Sequence, residues 1–119
     1  MSAESAREIK IYHNPRCAKS RQTLELLEKK GIKVEIIEYL KNPPSLNELK
    51  DLAKKLGLKP IEFMRRKEDE FKKLKLDEND SIACLKAIAK HPVLLERPIV
   101  VNGKKAAIGR PPENVLEIF

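Results

Sequence analysis

Two strand-like stretches on either side of one helical segment constrain this chain more than any other feature. Ile9 and Ile11 alternate with Lys10, and VEIIEY, Val34 to Tyr39, is strand-like again within the roughly 30-residue span of a βαβ unit. Between them Thr23, Leu24 and Leu27 share one face of a helix opened by Ser20 or its neighbours. Gly31 supplies a left-handed stop just after Lys29-Lys30. Strand, helix and strand at this spacing require a right-handed crossover and a parallel pair. The loop HNPRC, residues 13 to 17, then sits at the carboxyl end of the first strand and can use the amino end of the helix. Unpaired N–H groups and the helix dipole favour negative charge there.

The rest of the chain extends this unit. Asn42-Pro43-Pro44 ends it, and Ser45 with Glu48 matches a capping box ahead of the stripe Leu46, Leu49, Ala53, Leu56, closed by Gly57. Pro60 starts a short helix through Phe63 and Met64, and Asp80 or Ser81 caps another carrying Ile82, Leu85 and Ile88. Residues 45 to 90 therefore read as a helical insertion. Strand character returns at RPIVV, 97 to 101; Asn102-Gly103 signals a hairpin, Lys105 to Ile108 is the return strand, and Pro111-Pro112 opens a short terminal helix. At 119 residues the chain fits one domain, 1–119. The predicted fold class is α/β, a thioredoxin-like fold with a helical insertion between the second and third strands.

Charge narrows the function. The 25 Lys+Arg against 18 Asp+Glu give +7, which suits nucleic acid or an anionic ligand. Basic pairs such as Lys29-Lys30, Lys54-Lys55, Lys72-Lys73 and Lys104-Lys105 are scattered, mixed with acids, and not interleaved with aromatic residues for base stacking, so no nucleic acid is expected. No run approaches the roughly 20 apolar residues of a membrane span, and the opening MSAESAREIK has no apolar signal segment. The expected localisation is cytoplasmic, with no membrane association and with Cys17 and Cys84 both reduced.

Cys17 is the centre of the chemistry. A thiol attacks as thiolate, and an ordinary cysteine near pKa 8.5 is mostly protonated at neutral pH. Three causes can lower it here: the helix amino end, the cations Arg16, Lys19 and Arg21, and His13 four residues earlier. Ser20 stands where a Cys-x-x-Cys motif would have its second sulfur, so Cys17 has no resolving partner in its motif and its reductant is external. Ser20 is read as capping the helix, with its hydroxyl also available to the thiolate. Three later arginines, Arg65, Arg97 and Arg110, stand where this fold could aim guanidinium forks at a tetrahedral oxyanion. Cys84, among apolar helical positions, reads as a buried structural thiol, and His91 shapes a turn. No metal-ligand spacing exists, so no metal is expected.

IYHNPRCAKSR (11 to 21), EYLKNPPSLNEL (38 to 49), FMRR (63 to 66), HPVLLERPIVV (91 to 101) and GRPPENVL (109 to 116) together resemble the ArsC-type arsenate reductases coupled to glutathione and glutaredoxin. The resemblance implies that Cys17 is the nucleophile and that His13 and Ser20 belong to the loop keeping it ionised. It carries arsenate-binding arginines onto Arg65, in preference to Arg66, and onto Arg97 and Arg110. Pro98 would be a cis-proline. Cys17 would form a thiol–arsenate adduct, glutathione would act as co-substrate supplying the second thiol, and glutaredoxin would reduce the glutathione-linked intermediate. No metal, flavin or nicotinamide would be bound. Two other readings share the scaffold: a glutathione-dependent thiol reductase of different substrate, and an Spx-type transcription regulator binding RNA polymerase. Ser20 and His13 count against the latter, which typically carries Cys-x-x-Cys.

Overall fold

The computed structural model of the chain describes residues 9–119. The opening stretch read for a signal segment therefore lies outside the described residues except for Ile9 and Lys10. Strand β1 (Ile9–His13) lies between β2 (Glu35–Glu38) and β3 (Ile99–Asn102), and β4 (Lys105–Ile108) pairs with β3, giving the sheet order β2-β1-β3-β4. β1 and β2 run parallel with His13 opposite Glu38, whereas β3 is antiparallel to both β1 and β4. This mixed sheet, with its βαβ start and a helical insertion ahead of β3, is the thioredoxin-like arrangement expected from the sequence.

Element limits differ in instructive ways. β1 runs on into His13 because it is paired on both sides, through Glu38 on β2 and as far as Ile99 on β3. β2 is shorter than Val34 to Tyr39, since as an edge strand it pairs only with β1. Helix α1 (Ala18–Lys29) opens at Cys17, not at Ser20: Cys17 is its N-cap residue, extended at φ −92° and ψ 122°, and its carbonyl accepts the Arg21 N–H at 3.0 Å. Gly31 takes φ +72° just beyond the helix, as expected of a left-handed terminator. The hairpin turn falls one residue later than Asn102-Gly103. Asn102 still pairs with Lys105, so the two turn residues are Gly103 and Lys104, with Gly103 at φ +61°. The terminal helix is a 3-10 turn, Pro112–Ile118.

The described residues divide into two compact units, residues 9–42 with 97–119, and residues 43–96. In the first, Ile11 of β1 and Val100 of β3, opposite each other in register, form a fully buried cluster with Leu27 of α1 and Val115 of the terminal turn. Each such side chain contributes about 1.5–3 kcal/mol relative to exposure. Asn102 ties the terminal turn to β3, its Nδ2–H donating to the Ile118 carbonyl at 2.7 Å.

In the second unit, Ser45 caps α2 (Leu46–Leu56) through a complete capping box. The Glu48 N–H donates to Ser45 Oγ and the Ser45 N–H to Glu48 Oε1, both at 3.1 Å, and Gly57 closes the helix at φ +67°. Leu49 and Leu52 are its buried residues, so Leu52, outside the expected stripe, belongs to the core face. Pro60–Phe63 forms a 3-10 turn, and Met64 leaves it to bridge Leu95. A short helix α3 (Asp69–Leu74) precedes α4 (Ser81–Lys90), which is capped by the Asp80 carboxylate accepting the Ala83 N–H at 3.0 Å. His91 ends α4, and its carbonyl accepts the Leu94 N–H of the turn Pro92–Leu94. No helix among the described residues is long and apolar enough to cross a membrane.

Candidate active site

The loop between β1 and α1 is folded by its own backbone. Asn14 does most of this work. Its carbonyl accepts the Cys17 N–H, its Oδ1 accepts the Arg16 N–H, and its N–H donates to Ser20 Oγ, all at 3.0 Å. Arg21 spans the loop from the helix side, its Nη1–H donating to the Pro15 carbonyl at 2.9 Å. This turn delivers Cys17 directly to the amino end of α1, nearly buried at 9% exposure.

Ser20 is fully buried in the first helical turn and does not cap the helix. Its hydroxyl oxygen accepts from Asn14 N–H and lies 2.7 Å from His13 Nδ1. Ser20 therefore acts on the thiol through its backbone, whose N–H points at the sulfur, as does the N–H of Lys19. Burial pushes the Cys17 thiol up, but these two N–H groups together with the charges of Arg97 and Arg110 outweigh it, so the thiol sits below its ordinary value. The cations named from sequence proximity, Arg16, Lys19 and Arg21, are not the principal ones. The decisive guanidiniums come from residues far along the chain.

His13 is also reassigned. Burial lowers its pKa, opposed by Glu38 across the strand pair and assisted by Arg21, so the ring is neutral at pH 7. It holds Ser20 in place and does not serve as a cation beside the thiolate.

Arg97 and Arg110 reach Cys17 from the β3 and β4 ends. Arg97 precedes β3, joined by a cis peptide bond to Pro98, and a second cis bond links Arg110 to Pro111. Arg110 Nε–H donates to the Arg97 carbonyl at 2.8 Å, which aims its Nη2–H at Cys17 Sγ, 3.7 Å away. Asn114 Nδ2–H donates to the Arg110 carbonyl at 2.9 Å and holds that backbone from the other side. His13, Cys17, Ser20, Arg97 and Arg110 are thus brought together in the first unit. Arg65 lies in the second unit, where its guanidinium pairs with Glu68 at 3.2 Å, while exposed Arg66 pairs with Glu78 at 3.4 Å.

Two residues escaped the sequence reading. Asn14 folds the loop, and no reading of the sequence above gives it a role. Gly109 matters through space alone: a Cβ there would stand 2.5 Å from Thr23 Oγ1 and 2.8 Å from Pro98 Cγ. The glycine lets the chain next to Arg110 pass between α1 and Pro98. A glycine immediately before Arg-Pro at a strand end was the available signal.

Cys84 is fully buried, and burial together with Asp80, Glu78 and Asp77 pushes its thiol up, the opposite of Cys17. Among the described residues no group of three or more His, Cys, Asp or Glu side chains is placed to hold a metal ion. The arrangement is thus a thiol held below its ordinary pKa at a helix amino end, with the Arg110 guanidinium N–H beside it and the Arg97 charge acting on it. It can act as a nucleophile toward a bound anion.

Comparison with known proteins shows what the chain is similar to. An arsenate reductase of Neisseria meningitidis serogroup A is 57% identical over 111 residues, covering 91% of this chain and 95% of the relative. A protein of Escherichia coli K12 described as uncharacterised is 50% identical, covering 94% and 97%. Among solved structures, an arsenate reductase from Vibrio cholerae is 49% identical and superposes with a TM-score of 0.90 over 93% of this chain and 97% of that one. Residues 12–118 match the profile of the ArsC family, and the chain belongs to that family.

Proposed function

We propose that this protein reduces arsenate to arsenite through a Cys17 thiol–arsenate adduct, with glutathione and glutaredoxin as reductants. The observation that carries the reading is the Arg110 guanidinium 3.7 Å from the Cys17 sulfur, in a site where the thiol is held below its ordinary pKa.

The thiolate attacks arsenic(V), forming an S–As bond and expelling one arsenate oxygen as water. Arg97 and Arg110 stabilise the oxyanion charge as the adduct forms. Glutathione then displaces a second oxygen as water, giving an arsenic(V) centre bonded to both sulfurs. Glutaredoxin thiolate attacks the glutathione sulfur. The S–As electron pair passes to arsenic, which becomes arsenic(III), and the two thiol sulfurs leave as a mixed disulfide. Water finally releases arsenite and regenerates the Cys17 thiol. Both electrons come from thiols, so the reaction calls for no resident cofactor, and a reducing compartment such as the cytoplasm suits it. Arg65 is a third arsenate ligand on the strength of the family resemblance.

The test is arsenate-dependent NADPH oxidation, coupled through glutathione reductase with glutathione and glutaredoxin present. Turnover should vanish in Cys17→Ser, and arsenate KM should rise in Arg97→Ala and Arg110→Ala. Wild-type turnover no greater than the Cys17→Ser background would refute the reading.

A further inference from the structure

We propose that the cleft between α1 and the terminal 3-10 turn is the docking site of the reducing thiol, and that it takes a zwitterionic peptide thiol of glutathione's class. This rests on the reductase reading above and adds a location to it. The cleft has a volume of about 430 Å³, lined by Lys19, Gln22 and Leu26 on the helix side and by Pro111 and Pro112 on the other. That volume falls in the range of small-molecule sites.

Each wall is joined through the chain to a residue of the Cys17 site. The Lys19 N–H is one of the two aimed at Cys17, and Pro111 directly follows Arg110, whose Nη2–H reaches Cys17 Sγ. From Lys19 the cleft follows α1 to Lys29, about 15 Å at the helical rise. An extended tripeptide of about 10 Å is short enough to lie along this length, its cysteine placed at the Lys19 end, the end joined through the chain to Cys17.

The lining chemistry selects the occupant. Leu26, Pro111 and Pro112 give an apolar floor, while Lys19 and Lys29 offer cations and Glu25 and Glu113 offer anions. Lys29 and Glu25 are paired at 3.0 Å on an exposed face, where a ligand with both charges can exchange partners at little cost. A site for a bare tetrahedral oxyanion would present cations alone, as Arg97 and Arg110 do. Alternating signs along an apolar floor instead match a molecule carrying carboxylates and an ammonium.

Thiol–disulfide exchange tests the cleft without arsenate. Cys17 thiolate attacks one sulfur of glutathione disulfide, the S–S bond breaks, and glutathione thiolate leaves, giving a mixed disulfide countable by mass spectrometry. The rate should be compared with that for uncharged hydroxyethyl disulfide and with iodoacetamide alkylation. Gln22→Trp, an exposed position that would fill the cleft, should slow the glutathione reaction about fivefold, the scale of one exposed contact, and leave the other two within about twofold. Lys29→Glu should act in the same selective direction. Equal slowing of all three reagents, or no change in either variant, would overturn the assignment. Failure of the NADPH assay would instead refute the reductase reading, leaving the exchange result to be judged by itself.

Discussion

Removing the Arg110 guanidinium isolates the electrostatic part of the Cys17 site. The Nη2–Sγ separation is 3.7 Å and Arg110 is exposed, so the water-screened limit applies: about 1 kcal/mol between unit charges at this distance. That corresponds to about fivefold less thiolate at a pH well below the thiol's pKa. Arg110→Gln should therefore move the midpoint of the Cys17 alkylation profile upward and slow alkylation at pH 5–6 by a factor of this order. Arg97→Gln should move it at least as far, because the Arg97 charge weighs more on the thiol than that of Arg110. The assay is iodoacetamide alkylation from pH 5 to 9, with Cys17 and Cys84 resolved by peptide mass spectrometry. Arg16→Ala, a cation adjacent in sequence, serves as the control and should leave the midpoint in place. A profile unmoved in both Arg97→Gln and Arg110→Gln, or displaced equally by Arg16→Ala, would refute the reasoning.

Three further outcomes follow from the packing. Gly109→Ala should destabilise the protein by about 1–3 kcal/mol, the usual scale of overpacking, and urea unfolding should show part of the loss recovered by Thr23→Ala in the same chain. His13 is held below its ordinary value near 6.5, so as pH falls the unfolded chain takes up this proton first. Its contribution is fully present above pH 6.5 and is lost on acidification through the lower folded value, and His13→Gln should flatten that part of the stability profile in urea titrations. Ser45→Ala should cost about 1 kcal/mol by removing the capping box, while leaving the Cys17 alkylation midpoint unchanged.

The backbone plan was legible because it depends on local signals. Period-two apolar residues, the Ser45 and Asp80 caps, and Gly31 and Gly57 each act within a few residues, so order and topology followed. What was not legible depends on pairing or on distance. The hairpin turn shifted because the Asn102–Lys105 pair extends the ladder, and α1 started early because Asn14 folds the loop ahead of it. The source of the positive charge on Cys17 is hidden in the sequence for the same reason. Arg16 and Arg21 are near in sequence, whereas Arg97 and Arg110 become near only when β3 and β4 join the sheet. Ser20 looked like a cap because serine commonly is one, but its burial against His13 gives the hydroxyl another task.

The central claim is that Cys17 and the two guanidiniums beside it form one oxyanion-binding nucleophile site. Arsenate protection of Cys17 against iodoacetamide at pH 7 tests this most directly, because it reads binding at the sulfur without any reductant. In the wild-type protein, arsenate should slow Cys17 alkylation in a saturable manner without affecting Cys84. The protection should weaken strongly in Arg97→Ala and Arg110→Ala. An alkylation rate indifferent to arsenate in the wild-type protein, or protection that survives loss of both arginines, would contradict the account.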